Sequence, residues 1–103
     1  MKLHDLYIQC YVKKKPAPAD ETIWLEDAKF AFLYAKYIRN SRWNEQQEQV
    51  FYKDTKSLYH YVVWLKSENQ TFEHLHNFML ASKVSGSNDV WINRYFELEA
   101  SSK

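Results

Sequence analysis

The chain has 103 residues, with 14 Lys and Arg against 13 Asp and Glu, a net charge of +1, and 17% aromatic residues. Its single glycine and single cysteine exclude several designs at once. A phosphate-cradling loop, a dinucleotide fingerprint and tight hairpin turns all need glycine at positive φ or close backbone approach, and an internal disulfide needs a second thiol. Charges balance along the length as well as overall, which argues against binding duplex DNA or an anionic membrane. No window approaches the roughly 18 apolar residues of a membrane span, and the start, MKLHDLYIQC, lacks the apolar run of a signal peptide. The expectation is one soluble, cytoplasmic domain with a single core and more aromatic surface than that core can hide.

Residues 3–12, LHDLYIQCYV, satisfy two templates. Leu3, Leu6, Tyr7, Cys10 and Tyr11 follow helical spacing, whereas Leu6, Ile8, Cys10 and Val12 alternate as in a strand; the helical units that follow favour the helix. Lys13-Lys14-Lys15-Pro16-Ala17-Pro18-Ala19 predicts an extended linker, because two prolines so close cannot sit inside a helix. Asp20 predicts the N-cap of a short helix carrying Ile23, Trp24 and Leu25, and Asp27 the cap of a helix over 28–40. That helix is apolar over most of its circumference and should be the hub of the fold. Ser41-Arg42-Trp43 makes a turn, and Asn44 with Gln47 reads as a capping box opening a helix to about Tyr52. Asp54 starts a helix to about Ser67, with Lys56, His60 and Lys66 toward water. Thr71 is expected to cap a helix over 72–83 with Phe72, Leu75, Met79 and Leu80 inward. Ser85-Gly86-Ser87-Asn88 is a loop, and Asp89 or Asn88 caps a last helix carrying Trp91, Ile92, Tyr95, Phe96 and Leu98, beyond which residues 101–103 should fray.

Residues 21–38 lie over residues 48–65 without a gap, at an offset of 27. Glu21, Ile23, Trp24, Asp27, Ala31, Tyr34, Ala35 and Ile38 fall on Glu48, Val50, Phe51, Asp54, Leu58, Tyr61, Val62 and Leu65. Self-similarity of this kind marks units that bury their apolar faces on one another. The predicted class is all-α: stacked helical hairpins, about 2.5 repeats long, forming a compact bundle or a short solenoid. Residues 1–19 lead in, 20–83 hold the repeats and 84–103 form a C-terminal capping helix.

The unit Asp27-x3-Ala31-x2-Tyr34-Ala35-x2-Ile38-x3-Arg42-Trp43-x-Glu45-x2-Glu48 resembles the short helical repeats common in phage and bacterial proteins of unassigned function, with their Asp start, Tyr-Ala step and Arg-Trp turn followed by a Glu. The resemblance covers residues 20–66 well and 67–80 loosely. The second unit departs from it, since Ser67 to Phe72 carries no Arg-Trp turn. The resemblance implies a fold and a phage or mobile-element setting, and no reaction.

Candidate chemistry is sparse. His74 and His76 are two apart, so they point to different sides of a helix, whereas a helical zinc pair needs i, i+3 or i+4 spacing. Cys10 lies in an apolar stretch where a thiol behaves as a small hydrophobe, and Glu26-Asp27 and Glu45/Glu48 stand at helix starts, where negative charge suits the dipole. No catalytic residue, metal ligand or cofactor is expected. The leading expectation is a protein-binding module, with Trp43, Arg42, Arg39 and Trp64 as contact residues, because Trp and Arg dominate interface hot spots. Its target, from the resemblance alone, would be a host defence or transcription component inhibited by a phage-encoded protein. The alternative is a single-stranded nucleic-acid (RNA) binder using Lys13, Lys14, Lys15 and Tyr37. A homodimer through an uncapped repeat end is the third reading.

Overall fold

The computed structural model describes residues 2–16 and 20–101, and all regular structure among them is helical. Residue 1, residues 17–19 of the predicted linker and residues 102–103 lie outside the described residues. Seven helices follow in chain order among the described residues. Helix α1 is Leu3–Tyr7 and continues as a π-helical stretch, Ile8–Val12; α2 is a 3-10 helix, Glu21–Glu26. Helix α3 is Ala28–Leu33 and continues as π-helix through Tyr34–Arg39. Helix α4 is again 3-10, Gln47–Lys53, followed by α5 (Thr55–Ser67), α6 (Glu73–Val84) and α7 (Val90–Ser101). The ambiguous stretch 3–12 is therefore helical. None of these helices is long and apolar enough to cross a membrane. The chain divides into two compact units, Met1–Asp54 and Thr55–Lys103.

In the first unit the caps form where short polar side chains precede apolar runs. The Asp20 carboxylate accepts from the Thr22 N–H at 3.1 Å, and that of Asp27 from the Lys29 N–H at 2.9 Å. Asn44 and Gln47 close the predicted box: the Gln47 N–H donates to Asn44 Oδ1 at 2.8 Å and the Asn44 N–H to Gln47 Oε1 at 3.3 Å. Asn40, at φ 57°, ends α3 in the left-handed conformation that asparagine tolerates. The core is a stack of planar groups. Trp24 lies parallel to Tyr34 with centroids 5.0 Å apart, Tyr34 meets Trp43 at 5.7 Å, and the Arg39 guanidinium closes the stack 4.9 Å from the Trp43 ring. Ala31 and Ala35, both fully buried, are small enough to leave room for those rings beside α3. Helix α3 packs against α1, α2 and α4, which is the hub role its apolar circumference predicts.

In the second unit, α5 and α7 run parallel, tied near both ends. The Thr55 hydroxyl donates to Asp89 Oδ2 at 2.8 Å, and Lys66 Nζ to Glu99 Oε1 at 3.1 Å. Leu58, Tyr61, Val62 and Leu65 of α5 are buried together with Leu75 and Met79 of α6 and Ile92 and Tyr95 of α7. The Tyr95 hydroxyl meets His76 Nδ1 at 2.7 Å. Asp89 caps α7 by accepting from the Trp91 and Ile92 N–H groups at 2.8 and 3.1 Å. Gly86, at φ 96°, lets α6 finish with the Ser87 N–H on the Ser82 carbonyl and the Gly86 N–H on that of Lys83.

Two local expectations change here. Phe72, not Thr71, occupies the N-cap position of α6 and supplies no side-chain hydrogen bond, and Leu80 is 42% exposed rather than inward. The two aligned segments do share a local build. Each begins with a 3-10 helix holding a fully buried aromatic ring, Trp24 or Phe51, and passes through an extended Asp27 or Asp54 into a helix with a buried tyrosine. The second segment straddles the division between the units: its 3-10 half belongs to the first unit and its long helix to the second. Helices α6 and α7 have no 3-10 helix directly before them among the described residues.

Candidate nucleic-acid interface

The four residues predicted to touch a partner are engaged inside their own units. Trp43 is 1% exposed and its indole N–H donates to the Ala31 carbonyl at 2.9 Å, so the predicted surface anchor is a core residue. Arg42 grips the buried Glu48 with both arms of its guanidinium, Nε to Oε2 at 3.0 Å and Nη2 to Oε1 at 3.1 Å. Arg39 reaches Glu21 at 2.6 Å and Ser41 at 2.7 Å while lying on Trp43. Trp64 is 9% exposed and packs edge-on to Tyr61. The physical reason is a shared need. A wide indole and a bidentate cation suit a desolvated contact between molecules, and they equally suit the turn between two buried helices of one molecule. The two aligned glutamates, Glu21 and Glu48, fix these arginines internally.

The residues of the alternative reading have a different fate. The π-helical end of α1 and that of α3 pack together and bring Tyr7, Tyr11 and Tyr37 into one row. Tyr7 and Tyr11 lie one helical turn apart and stack, with centroids 5.5 Å apart and planes within 10°, and Tyr37 meets Tyr11 edge-on at 5.6 Å. Tyr11 and Tyr37 are 38% and 43% exposed, the two most exposed large aromatic side chains among the described residues. Lys14 Nζ sits 5.1 Å over the Tyr11 ring and Lys36 Nζ 5.1 Å over that of Tyr37. Lys13 and Lys15 are exposed beside them. Among the described residues none of these four lysines forms an ion pair. Burial, followed by the neighbouring phenols of Tyr11 and Tyr37, raises the Tyr7 hydroxyl above its ordinary pKa.

The backbone at this patch is strained. Four described residues have positive φ: Asn40, Asn69 and Gly86 are types that accept it, and Lys14, at φ 58°, is not. A left-handed lysine costs roughly 1 kcal/mol; it ends α1 as Asn40 ends α3, with the Lys15 N–H donating to the Gln9 carbonyl at 3.0 Å. Here the turn folds Lys14 back over Tyr11. No protein-family model, curated protein or solved structure matches this chain. The site must therefore be read from its own chemistry.

Exposed ammonium groups supply sequence-independent contacts to phosphate, and aromatic faces supply stacking to any base. The lysines rest on the very faces a base would use, and magnitudes decide between them. An exposed cation–π contact is worth about 0.5–1 kcal/mol, whereas base–aromatic stacking is worth about 1–3 kcal/mol, and a displaced ammonium gains a phosphate. The exchange is favourable. Lysine is also depleted at protein–protein contacts while Arg and Trp are favoured there, and the Arg and Trp of this unit are used internally. Sequence reasoning named Lys13, Lys14, Lys15 and Tyr37 for this role and missed Tyr7, Tyr11 and Lys36; the i, i+4 tyrosine pair was the available signal.

Elsewhere in the first unit a groove of about 730 Å³ is lined by Thr22, Leu25, Asn44, Gln47, Val50 and Tyr52 among others, and Asn44 and Gln47 there already satisfy each other. Among the described residues no three His, Cys, Asp or Glu side chains come together to hold a metal ion.

Proposed function

We propose that this chain binds single-stranded nucleic acid, without base specificity, on the Tyr11–Tyr37 face of its first unit. The observation that supports this is the row of three tyrosines under unpaired lysines, two of the rings exposed, beside a strained Lys14. Tyr11 and Tyr37 act as stacking platforms, and Lys13, Lys14, Lys15 and Lys36 neutralise phosphates. If all four contact the strand, log Kobs falls against log salt with a slope of about 2.8, at about 0.7 for each phosphate. The test is fluorescence anisotropy of a labelled uridine 20-mer at low salt. Micromolar binding, weakened about thirtyfold or more by Tyr11→Ala with Tyr37→Ala, as two stacking contacts of at least about 1 kcal/mol each imply, supports the reading. No binding at tens of micromolar protein refutes it.

The second reading is a protein-binding module, with the phage-inhibitor role that the resemblance added. It keeps one favouring observation: Leu80, Val84 and Val90 of the second unit are exposed to 42%, 79% and 59%, apolar area of the kind contact sites use. A single protein captured in stoichiometric amount after nuclease treatment, and lost with Leu80→Ser and Val84→Ser, would establish it.

A further inference from the structure

The second unit carries an aromatic and cationic cluster that the function proposed above does not use. Lys56, Tyr59 and His60 stand at i, i+3 and i+4 on one face of α5, and Trp91 and Arg94 at i, i+3 on α7. The parallel packing of these helices brings the two faces together. Tyr59 and His60 meet the Trp91 ring at 5.5 and 5.6 Å, tilted by 48° and 51°. Arg94 Cζ lies 4.6 Å and Lys56 Nζ 5.8 Å from the Trp91 centroid. Lys56, His60 and Arg94 are exposed, while Tyr59 and Trp91 are half-buried.

The charges set this cluster apart from an ordinary surface. Among the described residues neither Lys56 nor Arg94 forms an ion pair, while Lys66 on the same helix as Lys56 is held by Glu99. The nearby carboxylate, Asp89, is occupied by the Thr55 hydroxyl and two backbone N–H groups. Two cations left on one indole, ringed by a phenol and an imidazole, form a site short of an anion and rich in flat surface. A phosphate answers the first need and a base the second.

We infer that Lys56, Tyr59, His60, Trp91 and Arg94 form a second contact for single-stranded nucleic acid, with Arg94 and Lys56 on phosphates and Trp91 as the stacking ring. The inference rests on the nucleic-acid reading of the first unit for its ligand class and on separate residues for its geometry. The chain supplies its own reporter. Of its four tryptophans, Trp24, Trp43 and Trp64 are buried and Trp91 alone is partly open, so a base stacking on the second contact quenches the accessible part of the emission, whereas a base on Tyr11 or Tyr37 does not.

The experiment pairs anisotropy of the labelled uridine 20-mer with tryptophan emission. It uses the full chain, its Trp91→Phe variant, the Lys56→Glu/Arg94→Glu variant and the Tyr11→Ala/Tyr37→Ala variant. The expected result is quenching on binding that disappears in Trp91→Phe and persists in the tyrosine variant at saturation. The Lys56→Glu/Arg94→Glu variant should lose about tenfold in affinity and about 1.4 from the salt slope, two phosphates at about 0.7 each, with an unchanged circular dichroism melt. Normal binding with unchanged emission and no effect of Lys56→Glu/Arg94→Glu overturns this contact and leaves the first intact. Loss of binding only in Lys56→Glu/Arg94→Glu supports it and overturns the first. No binding by any of the proteins overturns both. Equal quenching by poly-glutamate shows a general polyanion surface and overturns the base-stacking role of Trp91, and uridine monophosphate that quenches as well as the 20-mer at equal nucleotide concentration overturns the assignment to a strand.

Discussion

Arg42→Ala is the sharpest test of how the first unit is held together. Glu48 is fully buried, and the Arg42 side chain that chelates it is 26% exposed. Replacing Arg42 with alanine leaves the Glu48 carboxylate out of water without the cation that balances it. Breaking a buried pair from one side costs about 3–5 kcal/mol, because the stranded charge keeps its desolvation penalty after losing its attraction. Against a total stability of about 5–15 kcal/mol for a native domain, that is a fifth or more of the whole. At roughly 4–8 °C per kcal/mol for a domain under 100 residues, the melting temperature should fall by about 12 °C or more. The assay is urea unfolding followed by circular dichroism at 222 nm, run on Arg42→Ala, Glu48→Leu and the double variant Arg42→Met/Glu48→Leu. The double variant should be more stable than either single one, since paired removal leaves no orphan charge. An Arg42→Ala loss of less than about 1 kcal/mol, the range of a surface pair, would refute the argument and return Arg42 to the list of contact residues.

Two further outcomes follow from the second unit. Asp89→Ala removes the acceptor for the Trp91 and Ile92 N–H groups and for the Thr55 hydroxyl, and should cost about 2 kcal/mol, a cap plus one side-chain hydrogen bond, read from the same urea midpoint. Burial, with Glu99 nearby, raises the Tyr95 phenol above its ordinary value of 10.0, so the folded state holds that proton more tightly than the unfolded chain does. Its contribution is complete below pH 10 and is lost as pH rises toward the folded value. Tyr95→Phe should therefore flatten the decline in melting temperature above pH 10 while costing about 1 kcal/mol at neutral pH through the bond to His76; an unchanged alkaline decline would refute the assignment.

The caps and helix boundaries were legible because each rests on a few adjacent residues. Asp20, Asp27, the Asn44/Gln47 box and Asp89 are where their spacing predicts. The start of α6 was legible to within one residue: its N-cap position falls on Phe72, next to Thr71. The internal partners of the candidate contact residues were hidden for a different reason. Periodicity reports which face of a helix is apolar, but it is silent on whether a turn between helices is covered. Trp43 and Arg42 sit in such a turn, and only the positions of Ala31 and Glu48 decide their burial. A local i, i+4 pattern joins Tyr7 to Tyr11, but Tyr11 with Tyr37 and Tyr59 with Trp91 lie on helices distant in sequence, and no local pattern could have joined those.

The aligned segments and the packed units are out of phase, like courses of brick. The second aligned segment, residues 48–65, contributes its opening part, with Glu48 and Phe51, to the first unit and its closing part, with Tyr61 and Leu65, to the second. Excising residues 48–65 would therefore remove the buried carboxylate that Arg42 needs from the first unit and the α5 helix from the second. A protease or an engineer seeking to part the two units should cut between Asp54 and Thr55, inside that segment.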